Sequence, residues 1–89
     1  MGDVMRIELK HDEIGCAIKV FLDGEDAGYL TYEILNEVLD IQHTVVRPEF
    51  RGKGLGKVLV DFILEYAGKK GFSINPSCSY AERILSNIV

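Results

Sequence analysis

Tryptophan is absent from this chain, and proline, cysteine, methionine and histidine occur only twice each. With so little proline, and with 9 glycines spread over 89 residues, the chain is neither collagen-like nor a Pro/Gly-rich disordered segment. Cys16 and Cys78 stand far apart without Cys-x-x-Cys spacing, and only His11 and His43 are there to join them. Neither a disulfide framework nor a zinc site is indicated; both thiols read as free and no metal is expected. No apolar run approaches the ~20 residues that a spanning helix needs, and the polar start Met1-Gly2-Asp3 lacks a signal-peptide profile. A cytoplasmic location without a membrane partner is therefore expected, and Arg6 stands where myristoylation asks for Ser or Thr. A basic excess is missing too. The formal net charge of -4 argues against a nucleic-acid partner, because neutralising phosphates needs a cationic face and the only local concentration runs from Arg47 to Lys57.

What is present has the balance of an ordinary globular domain, 47% hydrophobic and 27% charged. The length suffices for one core and not for two, so residues 1–89 are read as one domain. A core this small leaves a margin of only a few kcal/mol. Ligand binding or dimerisation would add to it, and a monomer or weak homodimer is expected.

Short apolar pieces broken by turn residues fill the first half, the signature of consecutive antiparallel strands. The spacing predicts strands over Val4–Lys10, Cys16–Leu22, Gly28–Ile34 and Val38–Val46, with Asp23-Gly24-Glu25-Asp26 closing the second and third into a hairpin and Asn36-Glu37 starting the next turn. Strict alternation would put Ile41, His43 and Val45 on one face of the fourth strand. From Gly54 to Lys70 the period changes to three and four, with Leu55, Val58, Leu59, Phe62, Ile63, Tyr66 and Ala67 forming one helical stripe that Gly71 ends. A short fifth strand over Phe72–Pro76 and a helix over Ser79–Asn87 complete a β-β-β-β-α-β-α order. The fold class is α/β (α+β) with a mainly antiparallel mixed sheet.

Between the fourth strand and the long helix, Arg51-Gly52-Lys53-Gly54-Leu55-Gly56 places three glycines and several cations at a helix N-terminus. Amide groups in a first helical turn have no intrahelical partner and carry the positive end of the helix dipole, so they can hold a pyrophosphate. Arg51, Lys53 and Lys57 add a screened Coulombic attraction. On spacing alone the turn serves equally as a phosphate cradle or as a plain helix start. It is not a Walker A loop, since Gly-Lys-Ser/Thr is missing, nor a Rossmann fingerprint, since antiparallel strands precede it.

The stretch Val45-Val46-Arg47-Pro48-Glu49-Phe50-Arg51-Gly52-Lys53-Gly54-Leu55-Gly56 resembles the coenzyme A signature of the GNAT acetyltransferase superfamily, Gln/Arg-x-x-Gly-x-Gly/Ala, whose defined places Arg51, Gly54 and Gly56 fill. Asp40-Ile41-Gln42-His43-Thr44 and Asn75-Pro76-Ser77-Cys78-Ser79-Tyr80 are similar to motifs of a small single-domain branch of that superfamily. The resemblance implies an acetyl-coenzyme A or coenzyme A co-substrate held by Val45, Val46, residues 51–57 (with Leu55 and Lys57 among them) and Asn75. It also implies an amine acceptor, small molecule or protein. Two helices that larger relatives insert between the first two strands have no room at His11-Asp12-Glu13-Ile14-Gly15, and no closing strand pair follows the last helix. The resemblance thus implies an acceptor side that is open or completed by a partner.

Acyl transfer to an amine needs a base for the amine proton, a positioned thioester and an acid for the leaving thiolate. His43 is the candidate base, since an imidazole titrates near the operating pH; its expected neighbours Ile41 and Val45 make a half-buried structural histidine the alternative. Cys78, just before the expected Ser79 helix start, is the candidate nucleophile for an acyl-enzyme, with inert packing as its alternative. The resemblance implies Tyr80, after the fifth strand, as the acid for the thiolate; a rim tyrosine with a satisfied hydroxyl is the alternative. Cys16 reads as a strand-core thiol, His11 as an exposed loop residue, and Tyr29, Tyr32 and Tyr66 as packing. Three functions follow in order: an N-acetyltransferase, a coenzyme A-binding or acyl-sensing module with little catalysis, and a thiol-based redox or interaction protein.

Overall fold

The computed structural model describes residues 6–77 and Arg83. Their order is β1 (Ile7–Asp12), β2 (Ala17–Leu22), β3 (Glu25–Leu35), β4 (Val38–Val46), a 3-10 turn at Pro48–Phe50, α1 (Leu55–Lys70) and β5 (Ser73–Pro76). The strands form one sheet in the order β1-β2-β3-β4-β5. The first four pair antiparallel as a meander, and the helical crossover brings β5 back parallel to β4. The α/β class, and the element order as far as β5, match the sequence expectation. The helix expected over 79–87 falls outside the described residues apart from Arg83.

Tight turns set the meander. Asp23 and Gly24 (φ 52° and 85°) join β2 to β3, and Asn36 and Glu37 (φ 52° and 65°) join β3 to β4. Positive φ at both central positions is the primed turn geometry that matches strand twist. It makes both hairpins tighter, and β3 longer, than Gly28–Ile34. A glutamate in the left-handed region stores strain of about 1 kcal/mol. Glu37→Gly is therefore expected to raise the unfolding free energy by about 0.5–1 kcal/mol, read as a higher urea midpoint with an unchanged slope.

One face of the sheet buries the stripe of α1. Ile18, Val20, Leu30, Leu39 and Ile41 pack without solvent exposure against Leu59, Val60 and Ile63. Each such side chain contributes roughly 1.5–3 kcal/mol by leaving water. Gly71 closes the helix, with the Phe72 amide donating to the Ala67 carbonyl at 2.9 Å.

A β-bulge changes the expected faces of β4. Thr31 pairs with His43 but Tyr32 pairs with Ile41, which leaves Gln42 as the extra residue. Before it, Leu39 and Ile41 are buried; after it, Thr44 and Val46 turn inward while His43 and Val45 are exposed. His43 is thus not the half-buried neighbour of Ile41 that strict alternation predicts. It lies on the sheet face that α1 does not cover.

His11 also departs from expectation. It lies within β1, half-buried, with its Nε2 2.6 Å from the Tyr32 hydroxyl and its ring edge-on to Tyr66 at 4.6 Å and to Phe62 at 5.4 Å. The Tyr66 hydroxyl donates to Glu13 Oε1 at 2.9 Å. Burial raises the Tyr32 hydroxyl well above its usual pKa, helped by neighbouring Tyr66, and burial followed by the Glu13 hydrogen bond raises Tyr66. Both phenols therefore stay neutral hydrogen-bonding groups, tying β1, β3, α1 and the turn after β1 together.

Candidate coenzyme A site

α1 starts on a backbone device. Gly54, its N-cap, holds φ 77° and supplies no side-chain cap, so among the described residues nothing caps the first-turn amides. Among the described residues nothing beyond its chain neighbours lies within 4 Å of a Cβ built at Gly54, so glycine serves the left-handed conformation rather than clearance from the rest of the chain.

Facing those amides is the C-terminal half of β4. Among the described residues β5 pairs only with Val38–Ile41, so the β4 edge beyond Ile41 is unpaired on that side. The Arg47 amide donates to the Ala27 carbonyl at 2.8 Å, which fixes the parity of the ladder. His43 and Val45 turn their peptide groups toward β3, and Thr44 and Val46 turn theirs to the free edge. Between this edge and the helix start lies a cleft of about 490 Å³, lined by Thr44, Val45, Val46, Phe50, Arg51, Gly52, Gly54, Leu55 and Gly56. The Thr44 hydroxyl is buried beside it and has no hydrogen-bond partner among the described residues.

The cations are more committed than their number suggests. Arg51 Nε donates to the Val46 carbonyl at 3.2 Å, closing the turn onto the strand end. Arg47 meets Asp26 at 3.5 Å and Lys57 meets Asp61 at 2.8 Å. Lys53 is exposed and makes no ion pair among the described residues. Of Arg47, Arg51, Lys53 and Lys57, three are thus already committed to partners within the chain.

Of the residues singled out from sequence, Val45, Val46, Arg51, Gly52, Gly54, Leu55 and Gly56 come together in the cleft, while Lys53 and Lys57 stand outside its lining. Asn75 does not join them. It pairs with Asp40 and lines a separate hollow of about 190 Å³ with Glu33, Leu35, Val38 and Asp40. Cys78 and Tyr80 lie outside the described residues. Sequence reasoning missed Thr44 and Phe50 as lining residues; the signal for Thr44 was ladder parity, hidden by the bulge, and for Phe50 the 3-10 turn begun by Pro48. Among the described residues no three His, Cys, Asp or Glu side chains gather as a metal site, and no helix is long and apolar enough to cross a membrane.

The residue pattern of the GCN5-related N-acetyl-transferase family matches residues 17–87, from β2 through the cleft to beyond β5. The chain belongs to that family. The GCN5-related chain is 33% identical to zebrafish (Danio rerio) Protein NATD1 over 95 aligned positions, covering 90% of this chain and 86% of that protein. A GCN5-like putative N-acetyltransferase from Staphylococcus aureus, solved by NMR, superposes with a TM-score of 0.72 at 29% identity, covering 90% of this chain and 78% of that one. The PaiA N-acetyltransferase of Thermoplasma acidophilum, solved in complex with coenzyme A, shares the fold at a TM-score of 0.60 and 23% identity. That match covers 63% of this GCN5-related chain and 35% of PaiA.

Proposed function

We propose that this GCN5-related protein is an acetyl-coenzyme A-dependent N-acetyltransferase that moves the acetyl group to an amine acceptor. The observation that carries the reading is the conjunction of an uncapped helix N-terminus with an unpaired β4 edge across one cleft. The first suits a pyrophosphate. The second suits the amides of a pantetheine arm, which can add to the edge as an extra strand would. The Thr44 hydroxyl, without a partner among the described residues, offers one further hydrogen bond to an occupant.

In direct transfer the amine nitrogen attacks the thioester carbon, the C–N bond forms, the C–S bond breaks and the coenzyme A thiolate takes a proton. The amine proton passes to a base. His43, exposed on the sheet face near where β4 and β5 separate, is the described candidate. In the alternative route the Cys78 thiolate attacks the thioester carbon and releases the coenzyme A thiolate; the amine then attacks the acyl-cysteine, forming the C–N bond and releasing the Cys78 thiolate. Cys78→Ala separates them: full turnover by the variant removes the acyl-cysteine route, and loss of turnover with retained coenzyme A binding supports it. Tyr80 is the candidate proton donor to the thiolate.

Calorimetric titration with acetyl-coenzyme A, free coenzyme A and ATP tests the site. Saturable binding of both coenzyme A forms with much weaker ATP is expected; no binding of either form overturns the reading. One observation favours a coenzyme A-binding module with little catalysis. β1 and β2 are joined by a turn of Glu13–Cys16 rather than by helices, so no acceptor wall rises there. Turnover across a panel of amines separates the two functions.

A further inference from the structure

Among the described residues β1 is the edge of the sheet, and its outward side is self-complementary. The Asp23 amide donates to the Arg6 carbonyl at 2.8 Å, so Arg6, Glu8, Lys10 and Asp12 turn their peptide groups inward to β2. Ile7, Leu9 and His11 turn theirs outward. α1 packs on β2, β3, β4 and β5 and reaches β1 chiefly at His11, which leaves Ile7 39% exposed and Leu9 half-buried on the helix side of this edge.

An exposed edge strand is a template for another strand, and natural proteins guard such edges with charge. Here the guard reads differently against a second copy. Antiparallel pairing centred on Leu9 opposes outward peptide groups to outward peptide groups: Leu9 to the partner's Leu9, Ile7 to the partner's His11. The same register sets Glu8 against the partner's Lys10 and Arg6 against the partner's Asp12, opposite charges at every charged pair. The two neighbouring registers that keep outward groups together are centred on Glu8 or on Lys10. The first stacks Glu8 on its copy and Arg6 on Lys10; the second stacks Lys10 on its copy and Glu8 on Asp12. Both oppose like charges, which destabilises cross-strand pairs. Within one protomer Lys10 directly faces Lys19 of β2. A carboxylate arriving beside Lys10 offsets that repulsion.

We infer that β1 is a docking edge for a second copy of this chain, paired antiparallel about a two-fold axis at Leu9. The axis stands perpendicular to the sheet, so the two sheets continue as one and both α1 helices lie on the same face. Ile7 and Leu9 of the two copies then cover each other in the groove between the helices.

Sedimentation equilibrium of the full chain up to about 1 mM is expected to show a reversible monomer–dimer equilibrium. Lys10→Glu sets two glutamates against each other twice per dimer and is expected to weaken association at least about tenfold. Glu8→Lys combined with Lys10→Glu swaps the charges and is expected to restore it. Restoration by the double variant excludes misfolding as the cause of the loss. Amide exchange by NMR supplies the register: Ile7, Leu9 and His11 are expected to gain protection as concentration rises. A chain that stays monomeric at about 1 mM, a dimer indifferent to Lys10→Glu, or outward amides that exchange freely in the dimer would each overturn the inference.

Discussion

Gly54→Asp is expected to weaken coenzyme A binding about 100-fold while leaving the free protein near its original stability. The N-cap of α1 holds φ 77°, lacks a side-chain cap, and has nothing within 4 Å of a Cβ. Aspartate tolerates the left-handed region better than most residues, and its carboxylate would stand beside unpartnered amides at the positive end of the helix dipole. Those gains of about 1 kcal/mol offset a backbone cost of similar size. With the pyrophosphate on these amides, as proposed, the same carboxylate competes for them and repels it. Two charges at ~4 Å interact by about 4 kcal/mol at an effective dielectric of 20, and roughly two thirds of that is a 100-fold loss. Gly54→Asn fills the same space without the charge and is expected to lose far less. The gap between the two variants should narrow as salt rises. Calorimetric titration at two ionic strengths, beside a thermal melt of each free protein, measures all of this. Wild-type affinity in both variants would remove the helix start as the anion site.

The architecture was legible because its determinants are local. Alternation marked the strands of the meander, a change of period marked α1, and Gly71 marked its end. The cleft was legible for a related reason: its lining falls within one continuous stretch, residues 44–56, so no long-range contact had to be foreseen. Three features were hidden. One extra residue at Gln42 inverts the faces of everything after it on β4, and nothing in the residue types of Asp40-Ile41-Gln42-His43-Thr44 announces a bulge. His43 therefore looked half-buried from sequence and is exposed. His11 looked like a loop residue because its partners Tyr32 and Tyr66 stand 21 and 55 positions away, and only the packing of α1 over β3 brings them to one ring cluster. Asn75 falls in the same class. Its distance from the cleft depends on where β5 pairs along β4, a parallel register that sequence pattern does not encode.

The close contact of β3 with β4 behind the cleft makes a second large effect calculable. A Cβ on Gly28 would stand 2.3 Å from the Val45 carbonyl oxygen and 3.1 Å from the Val46 Cα. Gly28 is buried and is not among the positive-φ glycines, so the constraint is space and not backbone conformation. Both obstacles are backbone atoms that no side-chain rotation can move. Gly28→Ala therefore forces β3 and β4 apart and is expected to cost about 3 kcal/mol, the upper end for overpacking. For a domain of this size that loss corresponds to a fall of roughly 12–24 °C in melting temperature. The strand it displaces carries Val45 and Val46, so coenzyme A affinity is expected to fall with it. Gly68→Ala is the control. Gly68 lies in α1, exposed, with nothing within 4 Å of its Cβ, so the same chemical change is expected to stabilise by about 0.5–1 kcal/mol through helix propensity. Two glycine-to-alanine changes in one small domain should thus move the melt in opposite directions. A Gly28→Ala melt that matched the wild type would mean that β3 and β4 can separate freely behind the cleft, and that the β4 edge is not held in place by this contact.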